Sequence, residues 1–152
     1  MCIFKCSNPA SPIFTDKGGP DEIFDITFSK KAGDVCCWSA GKKHFVYWDG
    51  AGLQKKKGVF GGNEMTSFAC CTADDQGRCY AGGANALIYV WAGNSCQKTL
   101  GFHESGFIGA LNWVEGKLYS GGKDGRVCII DTNTMECCEA ISFGILPRAV
   151  DV

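Results

Sequence analysis

A short apolar strand pattern recurs three times along this chain at nearly constant spacing. The three segments read HFVYW, LIYVW and VCII, and they end at Trp48, Trp91 and Ile130. These last residues lie 43 and 39 residues apart. A sequence period of about 40 residues indicates a protein built from repeats of one small structural unit. This periodicity constrains the fold more strongly than any other feature of the sequence.

Each repeat contains four stretches with strand character, separated by glycine-rich turns. In the first repeat, Phe24, Ile26 and Phe28 alternate with Asp25, Thr27 and Ser29, which is the two-residue period of a strand. Four strands per period of about 40 residues are typical of a WD40-type β-propeller. We therefore predict an all-β chain that forms a WD40-type propeller of about three blades. The predicted blades are 21–61, 65–101 and 106–144.

The two ends of the chain fall outside these three blades. Residues 1–6 and 147–152 are predicted as strands of adjacent blades, and the stretch with Pro9 and Pro12 as a polar loop. Three blades make an incomplete ring, because closed propellers have about four to eight, and open edges invite strand pairing. We expect either a part of a longer protein or self-association in which two copies supply about seven blades. An error in the strand assignment is the remaining alternative.

Eleven cysteines are many for 152 residues, yet their arrangement disfavours disulfides. Neighbouring residues on a strand point to opposite faces, so the adjacent pairs Cys36–Cys37, Cys70–Cys71 and Cys137–Cys138 cannot form bridges within a pair. Reduced cysteines that fill small apolar spaces fit better. This predicts a reducing, cytoplasmic location. The N-terminus does not resemble a signal peptide, and no apolar run approaches the roughly 20 residues that span a bilayer.

The composition points away from catalysis and from cofactor, nucleic-acid or membrane binding. A net charge of −1 disfavours a protein held by phosphate contacts. Two histidines, His44 and His103, and the absence of C-x-x-C argue against zinc. No G-x-S-x-G motif is present to support a serine hydrolase. We therefore predict a binding module with protein partners, no enzyme activity, no cofactor and no metal.

A series of motifs in constant order resembles the echinoderm microtubule-associated protein-like (EML) family. Residues 41–48 and 52–61, GKKHFVYW and GLQKKKGVFG, are similar to the family's "GK-x-H-hydrophobic-x-x-W … L-x-K-K-x-G-x-F". Residues 83–91 resemble "G-x-x-x-G-x-I-x-V-W", with alanine at the usual second glycine. Residues 103–111 and 120–124 resemble "A-H-E-G-G-I-F-A-L" and "S-G-G-K-D". The resemblance covers about residues 21 to 150.

The resemblance implies an atypical WD40 propeller from a tandem-propeller protein of the microtubule cytoskeleton. It implies a non-enzymatic scaffold that contacts tubulin, located on the cytoskeleton or in the cilium. A coiled-coil segment assists microtubule attachment in that family, and this chain shows no heptad repeat. The alternative is a WD40 adaptor for another complex, ciliary or signalling.

Two groups of site residues follow from the repeats. The expected structural residues of the WD type are Trp48, Asp49, Trp91, His103, Ser120, Asp124 and Asp131. Many WD repeats link such residues in a His–Ser–Asp–Trp hydrogen-bond chain, but the third blade has Ile130 at the tryptophan position, and the second has Ala81 and Asn85 at the serine and aspartate positions. The candidate partner-binding residues are Lys55, Lys56, Lys57, Phe102 and Phe107. The lysines either guard an edge strand or attract an acidic partner, and the aromatic rings either pack inside or anchor one.

Overall fold

Antiparallel strands form all the regular secondary structure described in this chain. The computed structural model describes residues 2–5, 8–15, 22–50, 52, 54–145 and 147–149. Within these residues there are fourteen strands and no helix. The all-β prediction is confirmed.

Twelve of the strands form three four-stranded meanders, and the other two form a separate hairpin. The hairpin pairs β1 (Cys2–Lys5) with β2 (Asn8–Thr15). Blade 1 contains β3 (Ile23–Phe28), β4 (Cys37–Gly41), β5 (His44–Asp49) and β6 (Gln54–Lys57). Blade 2 contains β7 (Phe68–Ala73), β8 (Arg78–Gly83), β9 (Ile88–Ala92) and β10 (Ser95–Leu100). Blade 3 contains β11 (Ile108–Val114), β12 (Lys117–Gly122), β13 (Arg126–Asp131) and β14 (Glu136–Ser142).

The blades stack face to face through two buried clusters. Because side chains alternate along a strand, blade 2 contributes Ala81 and Trp91 to the cluster with blade 1, and Tyr80 and Val90 to the cluster with blade 3. The ring of Phe45 stacks on that of Trp91 at a centroid distance of 3.9 Å. The first strands of the three blades, β3, β7 and β11, also lie next to one another. This is the radial stacking that a propeller requires.

The chain between blades 1 and 2 is hydrogen bonded to both of them. The amide of Gly58 donates to the carbonyl of Phe45 at 2.9 Å. The amide of Val59 donates to the carbonyl of Asn94 at 2.8 Å, and its carbonyl accepts from the amide of Cys96 at 2.9 Å. The link therefore forms an ordered seam between the two sheets.

Two features at the ends differ from the sequence prediction. Residues 8–15, predicted as a loop because of Pro9 and Pro12, form β2. The pairing with β1 is irregular, with register shifts on both sides of the position that pairs with Pro12. Proline is tolerated at such bulges and on edge strands, because its missing amide hydrogen is not needed there. At the other end, residues 147–149 have no regular secondary structure, and 150–152 lie outside the described residues.

Candidate functional site

His103, Ser120 and Asp124 lie in one hydrogen-bonded chain on blade 3. His103 precedes β11, Ser120 lies on β12 and Asp124 lies in the turn after it. The His103 Nε2 atom is 2.9 Å from the Ser120 Oγ, and its Nδ1 is 3.0 Å from an Asp124 carboxylate oxygen. The amides of Glu104 and Arg126 also donate to Asp124, at 3.0 and 3.1 Å. The Asp124 carboxylate therefore links the turn after β12 to the loop before β11.

The environment of this chain favours a structural role. The side chains of His103 and Asp124 are 0% and 4% exposed, and Ser120 is buried. Burial raises the pKa of Asp124, but the hydrogen bonds from His103, Glu104 and Arg126 outweigh that effect, so the pKa lies below its ordinary value. The Asp124 carboxylate is therefore ionised at neutral pH, and its charge is stabilised by these hydrogen-bond donors. The order Ser–His–Asp resembles a hydrolase triad, but a buried serine hydroxyl has no approach for a substrate carbonyl.

A second polar network lies in blade 1, and the sequence did not predict it. The Oγ of Ser39 is 2.9 Å from the Nε2 of His44 and accepts a hydrogen bond from the Nε1 of Trp48 at 3.1 Å. All three residues are buried. Ser39 pairs with Val46 across the two strands, so it shares a sheet face with residues 44 and 48. The two-residue period of β5 places residues 44 and 48 on one face, but only the register of β4 against β5 brings Ser39 beside them.

Blade 2 lacks the corresponding network. Ala81 occupies the position of the serine, and the Nε1 of Trp91 has no hydrogen-bond partner among the described residues. Asn85, at the aspartate position, donates to the hydroxyl of Tyr89 at 3.0 Å, and its own Oδ1 likewise lacks a described partner. The Tyr89 hydroxyl in turn donates to the carbonyl of Glu64 at 2.8 Å. The blade is stabilised instead by aromatic packing around Trp91.

Asp49 and Asp131 are the last residues of strands β5 and β13, and their carboxylates have different partners. Asp49 accepts hydrogen bonds from the ammonium of Lys56 and, at 3.1 Å, from the hydroxyl of Tyr47. These bonds lower its pKa. Asp131 accepts from the backbone amides of residues 133 and 134 at 2.8 and 3.1 Å, which lowers its pKa as well. Asp131 therefore stabilises the backbone turn after β13, whereas Asp49 links side chains of β5 and β6.

The predicted lysine triplet forms most of β6, the exposed outer strand of blade 1. Its members differ in their surroundings. Lys56 makes an ion pair with Asp49, and the ammonium of Lys55 lies 5.4 Å from the centre of the Trp48 ring. Lys57 pairs with Val46 across the strands, and among the described residues no ion pair holds its ammonium. Two of the three lysines therefore interact with other side chains of blade 1, so the three cations are not equivalent.

The two candidate aromatic anchors are half-buried. Phe102 packs against the cluster between blades 2 and 3. Phe107 lines a shallow cavity of about 320 Å³ together with Gly109, Pro147 and Arg148. Phe107 thus contacts a space that a partner could enter, whereas much of the Phe102 ring is used in packing.

A buried carboxylate at the β7–β8 turn was also missed by the sequence analysis. Asp74 is completely buried and accepts hydrogen bonds from the Nε of Arg78 at 2.6 Å and the hydroxyl of Tyr80 at 2.9 Å. Burial, followed by the charge of Asp74, raises the pKa of Tyr80. Nearby, the ammonium of Lys30 donates to the carbonyl of Trp113 at 2.9 Å and so links blade 1 to blade 3.

The nine cysteines whose side chains the structure describes are all thiols, and seven of them are buried. Burial raises the pKa of Cys37 to about 11 and that of Cys128 to about 12. Such thiols are protonated at neutral pH and pack as small apolar groups.

Among the residues that the structure describes, no three His, Cys, Asp or Glu side chains are grouped to hold a metal ion. No helix suited to crossing a membrane occurs in that part of the chain.

Sequence comparison gives relatives along most of the chain. No protein-family model matches. The ciliary WD repeat-containing protein ctxp80 of Euplotoides octocarinatus is 44% identical over 140 residues, which cover 90% of this chain and 20% of that protein. The echinoderm microtubule-associated protein-like 2 of Homo sapiens is 34% identical over 145 residues, covering 85% of this chain and 22% of that protein.

Structure comparison gives the fold. The crystal structure of the RRP9 WD40 repeats matches with a TM-score of 0.69 at 17% identity, over 83% of this chain and 40% of that one. The chain is a WD40 propeller segment related to the EML proteins. The resemblance predicted from the sequence is confirmed, and so is the WD40-type fold.

The WD40 propeller segment spans about a fifth of the curated relatives it matches. The similarity to WD repeat and EML proteins supports a WD40 protein-interaction module here. The names of the relatives associate those proteins with cilia and with microtubules.

Proposed function

We propose that this segment is a non-catalytic part of a microtubule-binding propeller and contacts tubulin. The observation that carries the proposal is sequence similarity over 85–90% of the chain to proteins named as ciliary or microtubule-associated. The proposed location is the cytoplasmic cytoskeleton, including the cilium.

Exposed cations on blade 1 support an acidic protein partner. Lys55, Lys56 and Lys57 are all exposed on the outer strand β6. Tubulin presents an acidic surface, and a local basic patch accelerates and orients association with such a surface. Because the net charge is only −1, this attraction depends on the patch and not on the charge of the whole chain. Phe107, beside its shallow cavity, is the aromatic residue that we propose as an additional anchor.

Sedimentation with polymerised tubulin tests the proposal. We expect the chain to pellet with microtubules at low salt and to be released as salt screens surface charges. Unpolymerised tubulin and microtubules alone serve as controls for precipitation. If circular dichroism shows that the chain is folded and the chain still fails to pellet with microtubules at low salt, the tubulin proposal is refuted.

The second candidate function is that of an adaptor in a different assembly. It is favoured by the similarity to a relative that is named as a ciliary WD repeat-containing protein. A pull-down with the full chain distinguishes the two functions. Recovery of a defined complex without tubulin would support the adaptor, whereas stoichiometric tubulin would support the microtubule protein.

A further inference from the structure

A small groove lies beside the seam between blades 1 and 2. It encloses about 110 Å³ and is lined by Lys43, His44, Phe45, Val46, Lys57, Gly58, Phe60 and Met65. Lys43 belongs to the β4–β5 turn, Lys57 ends β6, and Met65 lies in the loop before β7. Three separate segments of the chain therefore converge on one site.

The floor of the groove is closely packed. Gly58 donates its amide hydrogen to the carbonyl of Phe45 at 2.9 Å, and a Cβ on Gly58 would lie only 3.1–3.2 Å from Phe45 and Trp91. The turn that carries Lys43 is also fixed, because its amide donates to the Oγ of Ser67 at 3.1 Å. A partner would therefore meet a preformed site and not one that must first become ordered.

The charge of the lining is entirely positive. Lys43 and Lys57 are exposed, and the lining contains no Asp or Glu. Among the described residues, neither ammonium is held in an ion pair, in contrast with Lys42 and Lys56, which bind Glu22 and Asp49. Two cations that the fold leaves available at one groove favour an anionic ligand.

An exposed apolar side chain lies at the same groove. Met65 is 57% exposed, and methionine side chains adapt well to varied apolar partners. An inorganic anion would use the lysines but not the methionine, whereas a peptide with acidic and apolar side chains would use both. The volume of about 110 Å³ is smaller than the roughly 150 Å³ cavity that holds a benzene ring, so it suits a short carboxylate side chain.

We propose that this groove binds an acidic peptide segment of a protein partner. One Glu or Asp carboxylate of that segment lies between Lys43 and Lys57, and a neighbouring apolar side chain contacts Met65. The identity of the partner as tubulin rests on the proposed function, but the binding of an acidic segment does not. The site differs from the predicted triplet, because it uses Lys57 with Lys43 and does not require Lys55 or Lys56.

Fluorescence anisotropy with a synthetic peptide tests the groove directly. The probe is a fluorescein-labelled peptide of eight glutamates with one central leucine, and the matched probe has glutamine at every glutamate. The variants are Lys43→Gln, Lys57→Gln, their double mutant and Met65→Gln. Lys98→Gln on the exposed face of β10 is the matched control, because it removes the same charge elsewhere. Circular dichroism establishes that each variant is folded.

We expect each single lysine variant to weaken binding of the acidic peptide about 2- to 5-fold, as for one exposed ion pair. The double mutant should lose about 4- to 25-fold, Met65→Gln should weaken binding, and Lys98→Gln should change it less than about 2-fold. Equal binding of the glutamine peptide, or a folded double mutant that binds like the wild type, would overturn the proposal.

Microtubule sedimentation of the same proteins separates the two proposals. If the double mutant loses the acidic peptide but pellets as well as the wild type, the groove proposal and the tubulin function both stand, and tubulin is not the partner of the groove. If the chain binds the acidic peptide through both lysines but does not pellet with microtubules, the groove proposal is supported and the proposed tubulin function is wrong.

Discussion

Replacing Asp124 with asparagine should destabilise blade 3 by about 2–3 kcal/mol at neutral pH. In the wild type its carboxylate accepts hydrogen bonds from His103 at 3.0 Å, from the Glu104 amide at 3.0 Å and from the Arg126 amide at 3.1 Å. An amide keeps one acceptor oxygen but turns an NH₂ group toward at least one of these donors. A hydrogen bond to a charged group contributes about 1.5–3 kcal/mol, and a side chain only 4% exposed gains little from water in exchange.

The effect should depend on pH in a defined direction. The folded-state pKa of Asp124 is lowered, so its carboxylate contributes stability that is fully present above the unfolded pKa of about 3.9. That contribution is lost as the pH falls through the lower, folded-state pKa. The difference in stability between wild type and Asp124→Asn should therefore be largest near pH 7 and shrink below about pH 4.

Urea unfolding followed by tryptophan fluorescence measures this difference at each pH. Asp75→Asn is the control, because Asp75 is an exposed residue of the β7–β8 turn and should leave the midpoint unchanged. A loss below about 0.5 kcal/mol for Asp124→Asn at pH 7, or a difference that grows on acidification, would refute the assignment of Asp124 as an ionised hydrogen-bond acceptor.

Three further substitutions test the packing of the blades by the same unfolding assay. Ser39→Ala removes two buried hydrogen bonds from blade 1 and should cost about 1–3 kcal/mol; a midpoint like the wild type's would contradict that network. Ala81→Ser, at the equivalent place in blade 2, should raise stability by about 0.5–1 kcal/mol by giving the Nε1 of Trp91 an acceptor, and a loss would mean that the site has no room for the hydroxyl. Gly82→Ala should cost about 1–3 kcal/mol, because its Cβ would lie 2.9 Å from the Ile108 carbonyl of the next blade; a neutral effect would contradict the close approach of blades 2 and 3.

The strand framework could be predicted because each strand leaves a signal in its own sequence. The segments that end at Trp48, Trp91 and Ile130 each lie in the third strand of a sheet. Their strand character could be predicted because it depends only on the pattern of apolar residues within the segment itself. The β2 strand was missed for the opposite reason. Pro9 and Pro12 resemble loop residues locally, and only the pairing partner shows that the strand tolerates them.

The contacts among polar side chains were harder to predict, because they depend on strand register and on neighbouring blades. His103, Ser120 and Asp124 could be recognised from a known repeat pattern. The bond between Ser39 and His44 required the register of β4 against β5, which the sequence alone does not fix. The groove required the loop before β7 to approach blade 1, and no pattern within one repeat reports such a contact between repeats.

The most direct test of tubulin binding is fluorescence imaging of the labelled chain on surface-bound microtubules. We expect saturable decoration along the filaments at low ionic strength, and this decoration should weaken as salt increases because surface charges are screened. Bare filaments at low ionic strength, with chain that is folded and in excess, would contradict it.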